Sequence, residues 1–264
     1  MENFAYHRPA KVADAVKIMK KAKDGKYLSG GMTLLPTIKQ GLAAPSDVID
    51  LGGTKNAGVS ASAKSVVVKA GTAHADVASD KAVRKAIPAL AVLASGIGDP
   101  HVRNRGTIGG SVANNDPAAD YPAAVVGLGA TVHTSERKIA GDKFFTGMFA
   151  TALKGNEIVT AVEFPLPAKA GYAKFPNPAS RYAMVGVLVA KMKDGAVRVA
   201  VTGAGPSVFR IPEMEAALAK DFSAKALAGI SVKAKGLNSD MHASAEYRAH
   251  LIGVMAKRAV QAAK

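Results

Sequence analysis

Arg105 to Pro122 reads RGTIGGSVANNDPAADYP. A glycine pair sits among small side chains, with two acids a short step beyond. Gly109 and Gly110 let backbone N–H groups come close to a ligand, which a Cβ hinders. Thr107 and Ser111, on either side of Ile108 and the glycines, add hydroxyls that donate to phosphate oxygens. Such a stretch can form a nest of N–H groups suited to an anion. Asp116 and Asp120 repel a phosphate, so they need another job, such as accepting from a ribose or capping a helix. The plainer reading is a tight turn before a helix, with Asp116 as N-cap and Pro117 at its first position. Taken alone, the stretch slightly favours that plainer reading.

A second stretch shifts the balance. Tyr27 to Pro36 reads YLSGGMTLLP. A short apolar strand runs into Gly30-Gly31 and then into an apolar segment of helical spacing. A strand, a glycine turn and a helix start together present N–H groups to phosphate. Two such bends can hold the two phosphates of a dinucleotide between them.

The 264 residues suffice for one large or two medium domains with a proper core. A hydrophobic share of 48% with frequent glycine suits an α/β or α+β protein. No apolar run is long enough to span a membrane, and MENFAYHRPAKVADA lacks the apolar core of a secretory signal. The expectation is a cytoplasmic protein. Cysteine is absent, which excludes disulfides, thiolate zinc sites and cysteine-ligated iron–sulfur clusters in this chain. The six histidines show no metal-ligand spacing, and His242 and His250 read as surface residues. The net charge of +15 raises nucleic acid as a partner. The basic residues are dispersed, however, and aromatics are only 5%, so the charge reads as an aid to solubility or to docking an acidic partner.

Residues 1 to 54 read as a β-α-β-α-β unit, with Val12, Ala15, Val16 and Met19 on one helical face. Helix is expected over 33–40 and strand over 47–51. Asp50 lies twenty residues beyond Gly30, the spacing of a ribose-binding acid in a Rossmann unit, but GxGxxG and P-loop patterns are both missing. In residues 55 to 165, SVVVKA at 65–70 is a strand, 74–79 opens a helix, 88–94 is a helix and 95–105 a loop. His74 reads as a helix-start residue. His101, Arg103 and Arg105 face phosphate or a partner subunit, or else solvent. Residues 123–129 form an apolar helix, and 130–134 and 157–164 form strands. From 168 onward, strands at 171–175, 184–192 and 197–202 are expected, with Asp194-Gly195 turning a hairpin. Helices follow at 213–220, 224–228 and 244–263. In the last, Tyr247, Leu251, Val254 and Met255 read as core. Strands followed by helices indicate an α+β domain.

With both bends placed, the chain resembles the FAD-binding medium subunit of the molybdenum hydroxylases, the group of aerobic carbon monoxide dehydrogenase and xanthine dehydrogenase. The resemblance runs through FAYHRP, SGGMTLLPTIKQG, HVRNRGTIGGSVANNDPAADYPAA, VEFPLP, KFPNPASRYAMVGV and YRAHLIGVMAKRAV, nearly the whole chain. It implies an α+β fold: an FAD-binding domain over 1–167, of the PCMH type, with subdomains of about 1–54 and 55–167. A C-terminal α+β domain over 168–264 carries a small antiparallel sheet and helices. It also implies the cofactor contacts. Tyr27, Leu28, Ser29, Gly30, Gly31, Met32, Thr33 and Leu34 would pass the FAD diphosphate. Thr107, Ile108, Gly109, Gly110 and Ser111 would form the second phosphate loop, and Asp120 would hold a polar group of the cofactor. Ile97 and Gly98 would border the flavin, Val159 and Lys174 would contact the cofactor, and Tyr182 would cover the ring. Many members carry Asn where this chain has Ser111, and Gln or His where it has Met32. Serine still supplies a donor, whereas Met32 removes a polar contact.

The implied function is electron transfer. A large molybdopterin subunit oxidises substrate, and a small subunit with two [2Fe–2S] clusters passes electrons to FAD on this chain, in a dimer of heterotrimers. No side chain here need be a catalytic acid or base, and no metal is expected on this chain. The rival readings are a basic protein binding nucleic acid or an acidic partner, and a stand-alone flavin oxidoreductase.

Overall fold

The computed structural model describes residues 2–264, and the fold is α+β. The chain begins with β1 (Ala5–His7), α1 (Val12–Lys21), β2 (Gly25–Leu28), α2 (Leu34–Lys39) and β3 (Asp47–Asp50). The three strands form a parallel sheet in the order β1-β3-β2, as the β-α-β-α-β pattern anticipates. Ala15 and Ile49 are fully buried between helix and sheet, with Val12, Val16 and Met19 packed around them. The order is not that of a Rossmann half.

Two strands follow, β4 (Val59–Ala61) and β5 (Ser65–Lys69), and then six helices. These are α3 (His74–Ser79), α4 (Lys81–Ala86), α5 (Pro88–Ser95), α6 (Pro100–Arg105), α7 (Ile108–Asn114) and α8 (Tyr121–Gly127). The block closes with β6 (Thr131–Thr134), β7 (Lys138–Ala140), the hairpin β8 (Phe145–Gly147) and β9 (Ala150–Thr151), and β10 (Val159–Pro165). A five-stranded antiparallel sheet, β4-β5-β10-β6-β7, packs its apolar face on the helices. The core there contains Val66, Val68, Leu90, Leu93, Ile108, Tyr121 and Phe164. Val66 and Val68 are buried while Val67 between them is less so, the period of two expected of a one-sided sheet.

Three expectations are corrected here. The segment 95–105 is not all loop, because Asp99 accepts from the Val102 N–H and Pro100 starts α6. Asp–Pro is an N-cap followed by an N1 residue, a signal present in the sequence. Asp116 does not cap a helix. Its Oδ1 accepts from the Ala118 N–H in a local turn, and α8 begins only at Tyr121. The glycine pair 109–110 is not a turn but lies in the first turn of α7, which Thr107 caps through the Gly110 N–H.

The last block has β11 (Pro167–Pro176), β12 (Ala183–Met192), β13 (Val197–Thr202), β14 (Phe209–Arg210), α9 (Pro212–Lys220) and α10 (Ala245–Gln261). The strands form one antiparallel sheet in chain order, and the Asp194-Gly195 hairpin joins β12 to β13 as expected. Residues 183–190 of β12 are all buried. The reason is that both faces are covered: Val185, Val187 and Val189 face α9 and α10, while Leu188 and Ala190 join the core of the preceding block. A strand buried on both faces reads as one continuous apolar run. On α10, Leu251 and Met255 are buried as expected, but Tyr247 stays half-exposed, edge-on to Phe175. Residues 224–227 form a short 3-10 turn, not an α-helix.

Candidate functional site

The two glycine stretches meet. The Ser29 and Thr107 hydroxyls are hydrogen-bonded at 2.8 Å, although 78 residues separate them in the chain. A Cβ added to Gly30 would stand 1.9 Å from the Arg105 carbonyl oxygen and 2.8 Å from the Gly106 Cα. Only a residue without a side chain allows that approach. Gly31 follows with φ of +75°, which turns the chain into α2. Beside this junction opens a cleft of about 870 Å³, toward the top of the ~300–1,000 Å³ range of ligand sites.

The hydrogen bonds of the two stretches differ, and that difference corrects one expectation. At the start of α7 the N–H groups are already engaged. Ile108 donates to Thr72 O, Gly109 to Ala70 O, Gly110 to Thr107 Oγ1 and Ser111 to Thr107 O. A Cβ on Gly109 would meet the Ala70 Cβ at 2.4 Å, so this glycine serves helix-to-strand packing rather than an open nest. By contrast, the N–H groups of Gly30, Gly31, Met32 and Thr33 have no acceptor among the described residues. The free donors for an anion therefore lie on the first stretch, and the second contributes mainly the Thr107 and Ser111 side chains.

Most of the expected residues line one wall or another of this cleft. Tyr27, Ser29, Gly30, Gly31, Met32, Thr33, Leu34, Ile97, Gly98, Thr107, Gly109, Gly110, Ser111, Asp120, Val159 and Tyr182 all border it. Leu28, Ile108 and Lys174 lie behind the lining, and Ile108 is fully buried in the core. Tyr27 donates its hydroxyl to Asn156 O at 3.0 Å, and burial pushes its pKa up to about 12. At the far end, Arg103 holds the Ile97 and Gly98 carbonyls at 2.9 and 3.0 Å. Tyr182, 51% exposed, ends a loop in which Asn177 Oδ1 accepts from the N–H groups of Ala179 and Ser180.

Asp120 and Lys174 form a buried pair under that loop. Lys174 Nζ lies 2.9 Å from Asp120 Oδ1 and donates to Gly96 O at 2.7 Å and Arg181 O at 3.0 Å. Its three protons are thereby used on protein groups. The Tyr172 hydroxyl donates to Asp120 at 2.6 Å. Burial raises the Asp120 pKa, while Lys174 and Tyr172 pull it the other way.

On the wall, Asp116 is a carboxylate with no cationic partner among the described residues, and the other acids are engaged. Asp50 is held by the Tyr6 hydroxyl, the Gly52 N–H and Arg8, and Glu157 is held by Arg137. Lys55, Arg105 and Arg181, which also line the cleft, have no carboxylate partner among the described residues. Sequence reasoning missed Lys55, Arg181 and His74 as cleft residues: Lys55 and His74 enter from segments with no motif of their own, and Arg181 stands beside the expected Tyr182 in KFPNPASRYAMVGV. Among the described residues no group of histidines and acids is placed to hold a metal, and no helix is long and apolar enough to cross a membrane.

Fold and cleft together define an α+β protein whose two glycine stretches meet beside a cleft with free N–H groups and unpaired cations, features that suit an extended anionic ligand. Comparison with known proteins sharpens this. Residues 2–167 match the family model of the FAD binding domain in molybdopterin dehydrogenase. Residues 170–263 match that of the CO dehydrogenase flavoprotein C-terminal domain. The medium subunit of nicotine 6-hydroxylase from Paenarthrobacter nicotinovorans is 33% identical, covering 97% of this chain and 95% of that one. The carbon monoxide dehydrogenase medium chain of Hydrogenophaga pseudoflava is 32% identical over 98% and 96% of the two chains. Reconstituted CO dehydrogenase from Oligotropha carboxidovorans superposes with a TM-score of 0.89 at 30% identity, covering 99% and 97% of the chains. The chain belongs to the FAD-binding flavoproteins of the molybdopterin dehydrogenases, the CO dehydrogenase type. The residues present fit that cofactor: the first bend, packed on Arg105 and Gly106 through Gly30, borders the cleft with four N–H groups that no described residue accepts from, beside unpaired cations.

Proposed function

We propose that this chain is the flavin-carrying medium subunit of a three-part molybdenum hydroxylase. In that reading it sits between a small iron–sulfur subunit and a large molybdopterin subunit, in a cytoplasmic dimer of heterotrimers. Bound FAD would accept electrons from the iron–sulfur clusters and release them to an external acceptor. The chain's own residues bind and orient it. The N–H groups of Gly30 to Thr33 take the diphosphate, with the Ser29, Thr107 and Ser111 hydroxyls beside them. Ile97, Gly98 and Tyr182 border the flavin, and Val159 lines the wall between. Lys174 acts from behind, fixing the Arg181 and Gly96 carbonyls on which that end rests, while Asp120, on the wall, pairs with Lys174 and would hold a polar group of the cofactor. The protein supplies position and electrostatics, and the redox chemistry is the cofactor's. The division into an FAD-binding part at 1–167 and a C-terminal part at 168–264 belongs to the same reading.

One observation carries the proposal: the Gly30 bend packs on Arg105 and Gly106, leaving its own N–H groups free. The test is purification of the native complex. It is expected to contain cysteine-rich and molybdopterin-bearing partners and to show bound-flavin absorption. Gly30→Leu should assemble without flavin, since any side chain there meets the Arg105 carbonyl. A colourless wild-type complex, or one retaining nucleic acid in a salt-sensitive way, would sink the proposal.

A further inference from the structure

Under the Gly106–Thr107 junction lies a histidine with no role so far. His74 opens α3, is only 4% exposed, and still lines the cleft. Its backbone N–H donates to Gly106 O at 3.0 Å, and neighbouring Ala73 bridges Thr107. The ring's two nitrogens differ. Nδ1 is sealed and has no hydrogen-bond partner. Tyr121 packs against the ring, centroids 5.4 Å apart, and its hydroxyl is also unpartnered. Nε2 also lacks a protein partner among the described residues, but it is not sealed. It lies 2.6 Å from where a Cβ on Gly106 would stand. Gly106 therefore keeps open a window that any other residue would fill.

The tautomer follows from burial. An unpaired buried N–H costs more than an unpaired lone pair, so the proton belongs on Nε2. Burial first, and then the nearby Arg103, lower the pKa to about 4, which keeps the ring neutral near pH 7. A neutral donor suits a wall where Arg105 already stands unpaired.

We propose that His74 is a cofactor-binding residue, whose Nε2–H donates to the diphosphate as it crosses the Gly30 and Thr107 stretches. The proposal rests on the FAD reading of the cleft. It assigns a third donor site to the anion, from a helix that neither glycine stretch contains.

The test uses the native complex stripped of flavin. FAD affinity is measured by flavin fluorescence and ADP affinity by competition, ADP being a probe that carries the diphosphate without the flavin ring. His74→Phe keeps the ring packing on Tyr121 and removes the donor, and His74→Gln keeps a donor. His74→Phe should weaken both FAD and ADP by about ten- to a hundredfold, the worth of a hydrogen bond to a charged group. His74→Gln should restore most of that loss. Unchanged ADP affinity in His74→Phe overturns the proposal, and so does an equal loss in both variants. If His74→Phe fails to assemble, nitrogen-15 spectra of the wild-type imidazole decide. They should show a proton on Nε2 whose resonance moves on adding ADP, and a proton on Nδ1, or no movement, overturns the proposal. A wild-type complex that takes up neither ligand defeats the FAD reading itself, a distinct outcome.

Discussion

At the scale of single residues, Glu157 shows how a cleft-lining acid is tied to stability. Its carboxylate accepts from Arg137 Nε at 3.0 Å, from the Thr134 hydroxyl at 2.6 Å and from the Lys154 N–H at 2.9 Å. Led by the Arg137 bonds, these hold its pKa down to about 2 against an ordinary 4.5. The folded value lies below the unfolded one. The stabilisation is therefore complete above about pH 4.5 and is lost as the pH falls toward 2. Glu157→Gln should cost about 2 kcal/mol at neutral pH, less than the full shift implies because Arg137 is half-exposed. Urea unfolding at several pH values checks this. The gap from wild type must narrow on acidification, and a gap independent of pH would contradict the account. The Thr134 and Arg137 partners were not legible beforehand, since they lie twenty or more residues upstream.

Secondary-structure elements carry the next lesson. α7 is short, yet it links the cleft to the β8–β9 hairpin. Thr107 caps its start, and Asn115 ends it with φ of +45°. The Asn115 side-chain amide donates to Gly147 O at 2.7 Å and Ala150 O at 2.8 Å, and the backbone carbonyl of Asn115 accepts from the Phe149 N–H. Asn115→Ala loses two hydrogen bonds and the short polar side chain that makes left-handed backbone tolerable, for a cost of about 2–3 kcal/mol. Asn115→Gly keeps the backbone easy and should cost visibly less. Denaturant midpoints for the pair test this, and equal losses would show that the backbone conformation contributes nothing. Helix α6 was readable at this scale from Asp99-Pro100. The helical setting of Gly109 was not, because glycine pairs favour turns until Ala70 is placed beneath them.

For the whole molecule, the Lys174–Asp120 pair joins the C-terminal sheet to the cleft. Lys174 comes from β11, Asp120 from the start of α8, and the carbonyls they support from 96 and 181. Lys174→Met strands a buried carboxylate and should cost about 3 kcal/mol. Adding Asp120→Asn removes the stranded charge, so the double variant should be more stable than the sum of single losses predicts. A double-mutant cycle on urea unfolding measures that coupling, and simple additivity would mean that the pair does not act as a unit.

The sequence by itself determined the α+β class, the β-α-β-α-β opening unit, the apolar C-terminal strands and the Gly30-Gly31 bend. These rest on local properties: periodicity, the missing Cβ of glycine and the fixed φ of proline. Only the tertiary structure decided which bend keeps its N–H groups free, that Lys174 spends its protons on protein groups, and that His74 reaches the cleft. The physical reason is that a hydrogen-bond donor is free or engaged according to what packs against it. Here the deciding acceptors, Ala70, Thr72 and Asp120, come from other elements of the chain.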